Sequence, residues 1–346
     1  MIFFRWFVIF WAFFVALGAE ESAFGQSVNN AEGTSVRIAV VSSPAVIGKY
    51  SQSVYNVALA TLASCKNDGY AIKHYTLPDE SAGSLSKMLV QIEQDGMNAI
   101  IAPLTSNGVK NFLTHETRIP VFVPTVHKRD FPVAPENVTF GAIDYERQIE
   151  ALLPYMSDSI AIFYDSSSVG SQLKSSTEEV FLAHKKDKKT ISSYPVDPKG
   201  SNIVSHLARP ALFSKKSVIL HIPVVKSALV SAHMTFTGVR ERNILSTQIN
   251  VDPSLLSLTQ YKDRENMILA NSLVEFPADI YEANALMNND IRFDWVNYAT
   301  SVGVDYLVSL LTDTPKKYAL RIVNAQVLYP IELLRPKEFG FEPLNP

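Results

Sequence analysis

The stretch AIIAPLTSNGVKNFLTHETRIPVFVP, residues 99–124, decides the fold. Residues 99–102 are continuously apolar and read as a strand buried on both faces. Residues 107–115 carry Val109, Phe112 and Leu113 at helical spacing, and 121–124 read as a second buried strand. A strand, a helix and another strand in so short a span make a parallel crossover unit.

The pattern repeats in both directions. Toward the N-terminus, strands are expected at 36–41 and 71–75, with helices at 53–66 and 85–95 that stop at Asn67-Asp68-Gly69 and Gly96. Toward the C-terminus, helices are expected at 145–156, 172–184, 202–208 and 227–236. They alternate with strands at 159–164, 190–194, 218–222 and 244–247. Two such sets in tandem predict an α/β protein with two doubly wound parallel-sheet lobes. After Asp263 the segments 267–273, 293–311, 320–327 and 331–333 are too few to close a third core, so they are expected to complete the first two.

The N-terminus predicts export. Residues 1–5 carry one positive charge, and 6–19 are apolar and end in small residues, the pattern of a signal peptide cleaved after Gly18 or Ala19. The run is shorter than the about 20 residues a membrane span needs. Residues 20–34 then form a linker. The sole cysteine, Cys65, has no partner for an internal disulfide and reads as a small helix residue, so the core alone must hold the fold. At 31 basic and 34 acidic residues the charge balance gives no reason to expect nucleic acid as a partner. The basic group Lys185, Lys186, Lys188 and Lys189 reads as a solvated turn.

The turn Ile100-Ile101-Ala102-Pro103-Leu104-Thr105-Ser106 resembles the strand-then-GPLTS turn of the type I periplasmic binding proteins, with Ala102 in place of a glycine. Arg118-Ile119-Pro120-Val121, Asn137 to Gly141 and Tyr145-Glu146-Arg147-Gln148 are similar to later segments of the same family. Within it, these phrases look nearest to the outer-membrane lipoprotein activators of peptidoglycan synthases. This chain lacks the lipid-bearing cysteine of that branch, which implies a soluble periplasmic protein with no stable membrane anchor. The resemblance, with the short supply of elements after Asp263, implies three crossings between lobes, near 141–144, 273–277 and 315–318. Lobe 1 is then 35–142 plus 274–316, and lobe 2 is 143–273 plus 317–346.

In open α/β sheets a ligand sits beyond the carboxyl ends of the strands, so the turns after strands supply the candidate site. In lobe 1 these are 42–50, 103–108 and 125–128, with Thr105, Ser106 and Thr125. Hydroxyls at a helix start suit an anionic group, and equally suit ordinary capping. In lobe 2 they are 164–170, 223–226 and 248–252, with Tyr164, Asp165, Lys226 and Asp252. Val169-Gly170 stands where the family's amino-acid binders commonly have Tyr-Gly.

Enzyme motifs are missing: there is no GxGxxG, P-loop, HExxH or GxSxG, and the two SxxK matches at Ser84 and Ser171 lack their partner motifs. The seven histidines show no metal-ligand spacing. The expected function is therefore non-enzymatic, with no cofactor and no metal. It is binding of a small polar or anionic solute between the lobes, or, alternatively, service as a periplasmic scaffold or regulator that binds an envelope protein and has kept a degenerate cleft.

Overall fold

The computed structural model describes residues 35–65, 67, 69–185, 190–239 and 243–344. The signal peptide, its cleavage site, the linker and the lysines at 186, 188 and 189 lie outside the described residues.

The chain begins with β1 (Arg37–Ser42), α1 (Pro44–Ile47), α2 (Tyr50–Ala63), β2 (Ala71–Thr76), α3 (Ala82–Gln94), β3 (Ala99–Ile101), α4 (Ser106–Phe112), β4 (Val121–Val123) and β5 (Val138–Phe140). It continues with α5 (Tyr145–Leu152), β6 (Ile160–Asp165), α6 (Ser168–Lys185), β7 (Ile191–Val196), α7 (Ile203–His206), β8 (Ser217–His221), α8 (Val224–Phe236), β9 (Ile244–Ser246), α9 (Ser254–Leu258), α10 (Tyr261–Arg264) and β10 (Met267–Asn271). The last elements are α11 (Ala278–Leu286), α12 (Trp295–Thr312), β11 (Arg321–Val323), β12 (Gln326–Leu328), β13 (Glu332–Pro336) and β14 (Phe341–Pro343).

Two seven-stranded sheets result, in the orders β11-β12-β5-β4-β3-β1-β2 and β14-β13-β10-β9-β8-β6-β7. Pairing is parallel from β5 to β2 and from β10 to β7, and antiparallel where β11 meets β12, β13 meets β10 and β14 meets β13. Helices cover both faces of each sheet, which is why strands such as β3, β4 and β8 are buried along their whole length. In the first lobe Ile38, Val40 and Ile101 pack on one side, with α2 and α12, while Ala39, Val41 and Ile100 pack on the other. The second lobe repeats the arrangement, with Phe163, Leu220 and Leu269 on one face and Ile162, Ile219 and Ile268 on the other. Residues 296–305 of α12 are buried on every side, including the polar Asn297, Thr300, Ser301 and Asp305. Among the described residues no helix is long and apolar enough to cross a membrane.

The third crossing corrects the sequence expectation. Strands β11 and β12 belong to the first sheet, so the chain returns to the second sheet at 329–331, not at 315–318, and residues 317–328 are part of lobe 1. The physical reason is Asp305 on α12, whose carboxylate accepts the N–H groups of Lys317 (2.9 Å) and Tyr318 (3.0 Å) and fastens this segment to the first lobe. The single segment expected at 320–327 is a hairpin of two strands, β11 and β12. Its two turn residues, Asn324 and Ala325, have φ of 51° and 60°.

Candidate functional site

The carboxyl ends of β1, β3 and β4 meet those of β6 and β9 across a cleft, and two recesses open in it. One, of about 220 Å³, is lined in lobe 1 by Ser106, Thr125, His127, Arg129 and Asp130 and in lobe 2 by Ser168, Val169, Gln172 and Ser176. The other, of about 330 Å³, lies between Lys49, Tyr50, Asp290 and Asp294 of lobe 1 and Gln248, Ile249, Val251, Asp252 and Pro253 of lobe 2. Tyr145 and Trp295 line both and form the wall between them.

Beside the first recess, the start of α4 is satisfied by the chain itself. Glu80, 7% exposed, reaches the start of α4. Its carboxylate accepts the Thr105 N–H (3.2 Å to each oxygen) and the Thr105 hydroxyl. The same hydroxyl accepts the Gly108 N–H at 3.2 Å. A Cβ on Gly108 would lie 2.2 Å from Glu80 Oε2, so only glycine leaves room for this carboxylate. Thr125 Oγ1 donates to the Leu104 carbonyl at 2.5 Å. Arg129, in the same lobe as Thr125, pairs with both Asp144 and Glu146. His127 Nδ1 accepts from Arg129 N–H (3.1 Å), and its Nε2 lies 3.5 Å from Asp144. Burial opposes the charge on Asp144, but His127, the Arg147 N–H and Arg129 outweigh it and hold the carboxyl down at about 2.

Of the other residues expected in lobe 2, Asp165 is committed to the start of α6. Its Oδ1 accepts the Ser167 N–H at 3.1 Å and the Ser167 hydroxyl. Tyr164 carries the Lys174 ammonium 5.8 Å from its ring centroid. Thr105, Tyr164, Asp165 and Lys226 line neither recess, whereas Ser106 and Thr125 line the first and Asp252 the second.

The second recess is different, because Gln248, which lines it, and two residues of the same turn that do not, Thr247 and Asn250, have polar atoms left over. Gln248 is 3% exposed and its Oε1 accepts the Ser272 N–H at 2.7 Å, but its Nε2 has no partner. Thr247 Oγ1 and Asn250 Oδ1, in the same turn after β9, are also buried and without partners. Three such atoms within four residues is unusual, since buried polar groups are nearly always hydrogen-bonded. Asp252, Asp290 and Asp294 each use Oδ1 to hold backbone N–H groups, of Ser254, of Arg292 and Phe293, and of Val296 and Asn297 respectively. Burial, then the neighbouring Asp290 charge, raises Asp294 above the ordinary carboxyl value, against its backbone bonds and Lys49. Burial and the Asp294 carboxylate raise the Tyr50 phenol, and burial raises Tyr145. Tyr50, Tyr145, Gln248 and Trp295 were not singled out from sequence. The only signal was positional, in that 42–50 and 248–252 follow strands.

Among the described residues no group of three or more His, Cys, Asp or Glu is placed to hold a metal ion.

Comparison with solved structures finds this architecture repeatedly. A branched-chain amino acid transporter substrate-binding protein, LivJ, from Streptococcus pneumoniae in complex with isoleucine superposes with a TM-score of 0.60 at 10% identity, covering 90% of this chain and 100% of that one. An extracellular ligand-binding receptor from Verminephrobacter eiseniae gives 0.62 at 10% identity, over 88% and 98%. The C-domain of LpoA from Haemophilus influenzae, a regulator of PBP1A, gives 0.58 at 8% identity, over 89% and 99%. The fold is thus the two-lobe fold of type I periplasmic binding proteins, shared with the LpoA C-domain. No family model and no curated protein matches the sequence.

Proposed function

We propose that this chain is a non-enzymatic binding protein that holds a small polar solute between its lobes, in the recess of Tyr50, Tyr145, Gln248 and Trp295 and not at the start of α4. The observation that carries the reading is the Gln248 amide nitrogen, buried without a partner in the lining of a pocket that both lobes build. An unsatisfied buried donor costs about 1–3 kcal/mol, and a ligand acceptor would remove that cost. The fold favours the same reading, because a pocket between two hinged lobes is where closure can enclose a solute. Export through the N-terminal apolar stretch and residence in the periplasm belong to the same proposal.

The test is a thermal melt against a panel of amino acids, amines, sugars and carboxylates. Binding to the folded state alone stabilises by about 2.7 kcal/mol at a hundredfold excess over Kd. A binder should shift the melt, and Gln248→Leu, which keeps the volume and removes the amide, should cancel the shift. A shift that survives in Gln248→Leu places the solute elsewhere.

A second reading, an envelope scaffold that binds a partner protein, is favoured by the α4 start and Arg129 being saturated by the chain's own carboxylates. A silent panel together with capture of one envelope protein would select it.

A further inference from the structure

The second recess is unevenly charged. Three carboxylates, Asp252, Asp290 and Asp294, line it with a single base, Lys49. Each carboxylate commits Oδ1 to the backbone, and no hydrogen bond among the described residues engages the Oδ2 of Asp252 or Asp290. Four aromatic residues, Tyr50, Tyr145, Phe293 and Trp295, also line it, beside the aliphatic Ile249, Val251 and Pro253. Aromatic faces attract cations through the ring quadrupole, most strongly where water is excluded. The Lys49 ammonium sits 5.7 Å from the ring centroid of its neighbour Tyr50, and no salt bridge among the described residues involves it. Opposite lies the Gln248 amide, a buried donor lacking an acceptor.

We propose that the solute of this pocket is a small organic cation with a hydroxyl or carbonyl acceptor a few bonds from its charge, an amino alcohol or its quaternary amine, an assignment that rests on the solute-binding reading above. The charged end takes the aromatic wall and the free carboxylate oxygens near Asp294, and displaces Lys49. The acceptor end takes the Gln248 amide. A net positive ligand fits better than a zwitterion, because the lining carries three carboxylates against one base, Lys49, which is exposed.

The experiment is calorimetric titration of the purified protein with ethanolamine, choline, the uncharged tert-butyl isostere of choline, leucine, succinate and glucose. Ethanolamine or choline is expected to bind about tenfold or more tightly than the uncharged isostere. Asp294→Asn, which still caps α12, should erase that preference, and Lys49→Met should increase affinity for the cation. Cation binding unchanged by both substitutions overturns the assignment to this pocket. Binding of leucine, succinate or glucose with the cations silent overturns the cation inference and leaves the solute reading standing. No heat from any compound, with the protein folded by circular dichroism, sinks both.

Discussion

His221 should make the protein acid-sensitive from about pH 6.5 downward, starting above the ordinary carboxylate range. It ends β8, is fully buried, and makes one hydrogen bond, Nε2 to Thr177 Oγ1 at 2.7 Å, while Nδ1 has no partner. Burial lowers its pKa from 6.5 to about 3, so the folded ring stays neutral. The unfolded chain takes up a proton below pH 6.5 and the folded chain does not, so stability is full above that pH and falls as the pH drops toward 3. The loss is about 1.4 kcal/mol per pH unit, or about 2 kcal/mol at pH 5. That is a large part of the 5–15 kcal/mol typical of a folded protein. Urea unfolding at pH 7.5 and pH 5.0 measures it directly. His221→Gln is expected to be less stable at pH 7.5 but to lose most of the pH dependence. His74, lowered by partial burial, should leave a smaller residue of the same sign. Equal pH dependence in the parent and the variant would refute the argument.

Other consequences follow from particular contacts. Glu80→Ala strands the Thr105 N–H and hydroxyl and should cost about 1–3 kcal/mol. Gly108→Ala should cost a similar amount through its clash with the Glu80 carboxylate, and a urea double-mutant cycle should show the two effects to be less than additive. Arg264, 2% exposed, donates to the carbonyls of Leu256, Thr259, Lys337 and Glu338 and ties the β13–β14 turn to α9. Lysine cannot reproduce that fork, and Arg264→Lys should lose about 2–4 kcal/mol in the same assay. Ala325 at φ 60° strains the β11–β12 turn, so Ala325→Gly should raise the melting temperature, with a gain of up to about 1 kcal/mol.

The alternation of apolar strands with amphipathic helices made the two lobes legible, because buried parallel strands and covering helices impose different periods on the sequence. Short elements without a period escaped it. β5 is three residues between Asn137 and Gly141, β14 ends in a proline, and α11 has apolar residues scattered around its axis. The third crossing was misplaced because Pro315 to Tyr318 resembles a linker, and nothing local reveals that Asp305 holds it. The site was less legible for the same reason. Thr105 and Asp165 carry hydroxyl and carboxylate groups that suit a ligand, and both are used by the chain, Thr105 with Glu80, twenty-five positions earlier, and Asp165 with Ser167. Gln248 is a neutral amide in no motif. Only its unfilled hydrogen bond, a property of the folded chain, marks it out.

The most direct test of the cleft assignment uses Trp295. The chain has three tryptophans, and Trp6 and Trp11 lie in the N-terminal apolar stretch. With Trp6→Phe and Trp11→Phe, all tryptophan emission comes from the wall shared by the two recesses. A solute that raises the melting temperature should change the Trp295 emission along the same saturation curve, and Gln248→Leu should remove both responses together. A solute that stabilises the protein with no change in Trp295 emission, and does so equally well in Gln248→Leu, would contradict the account.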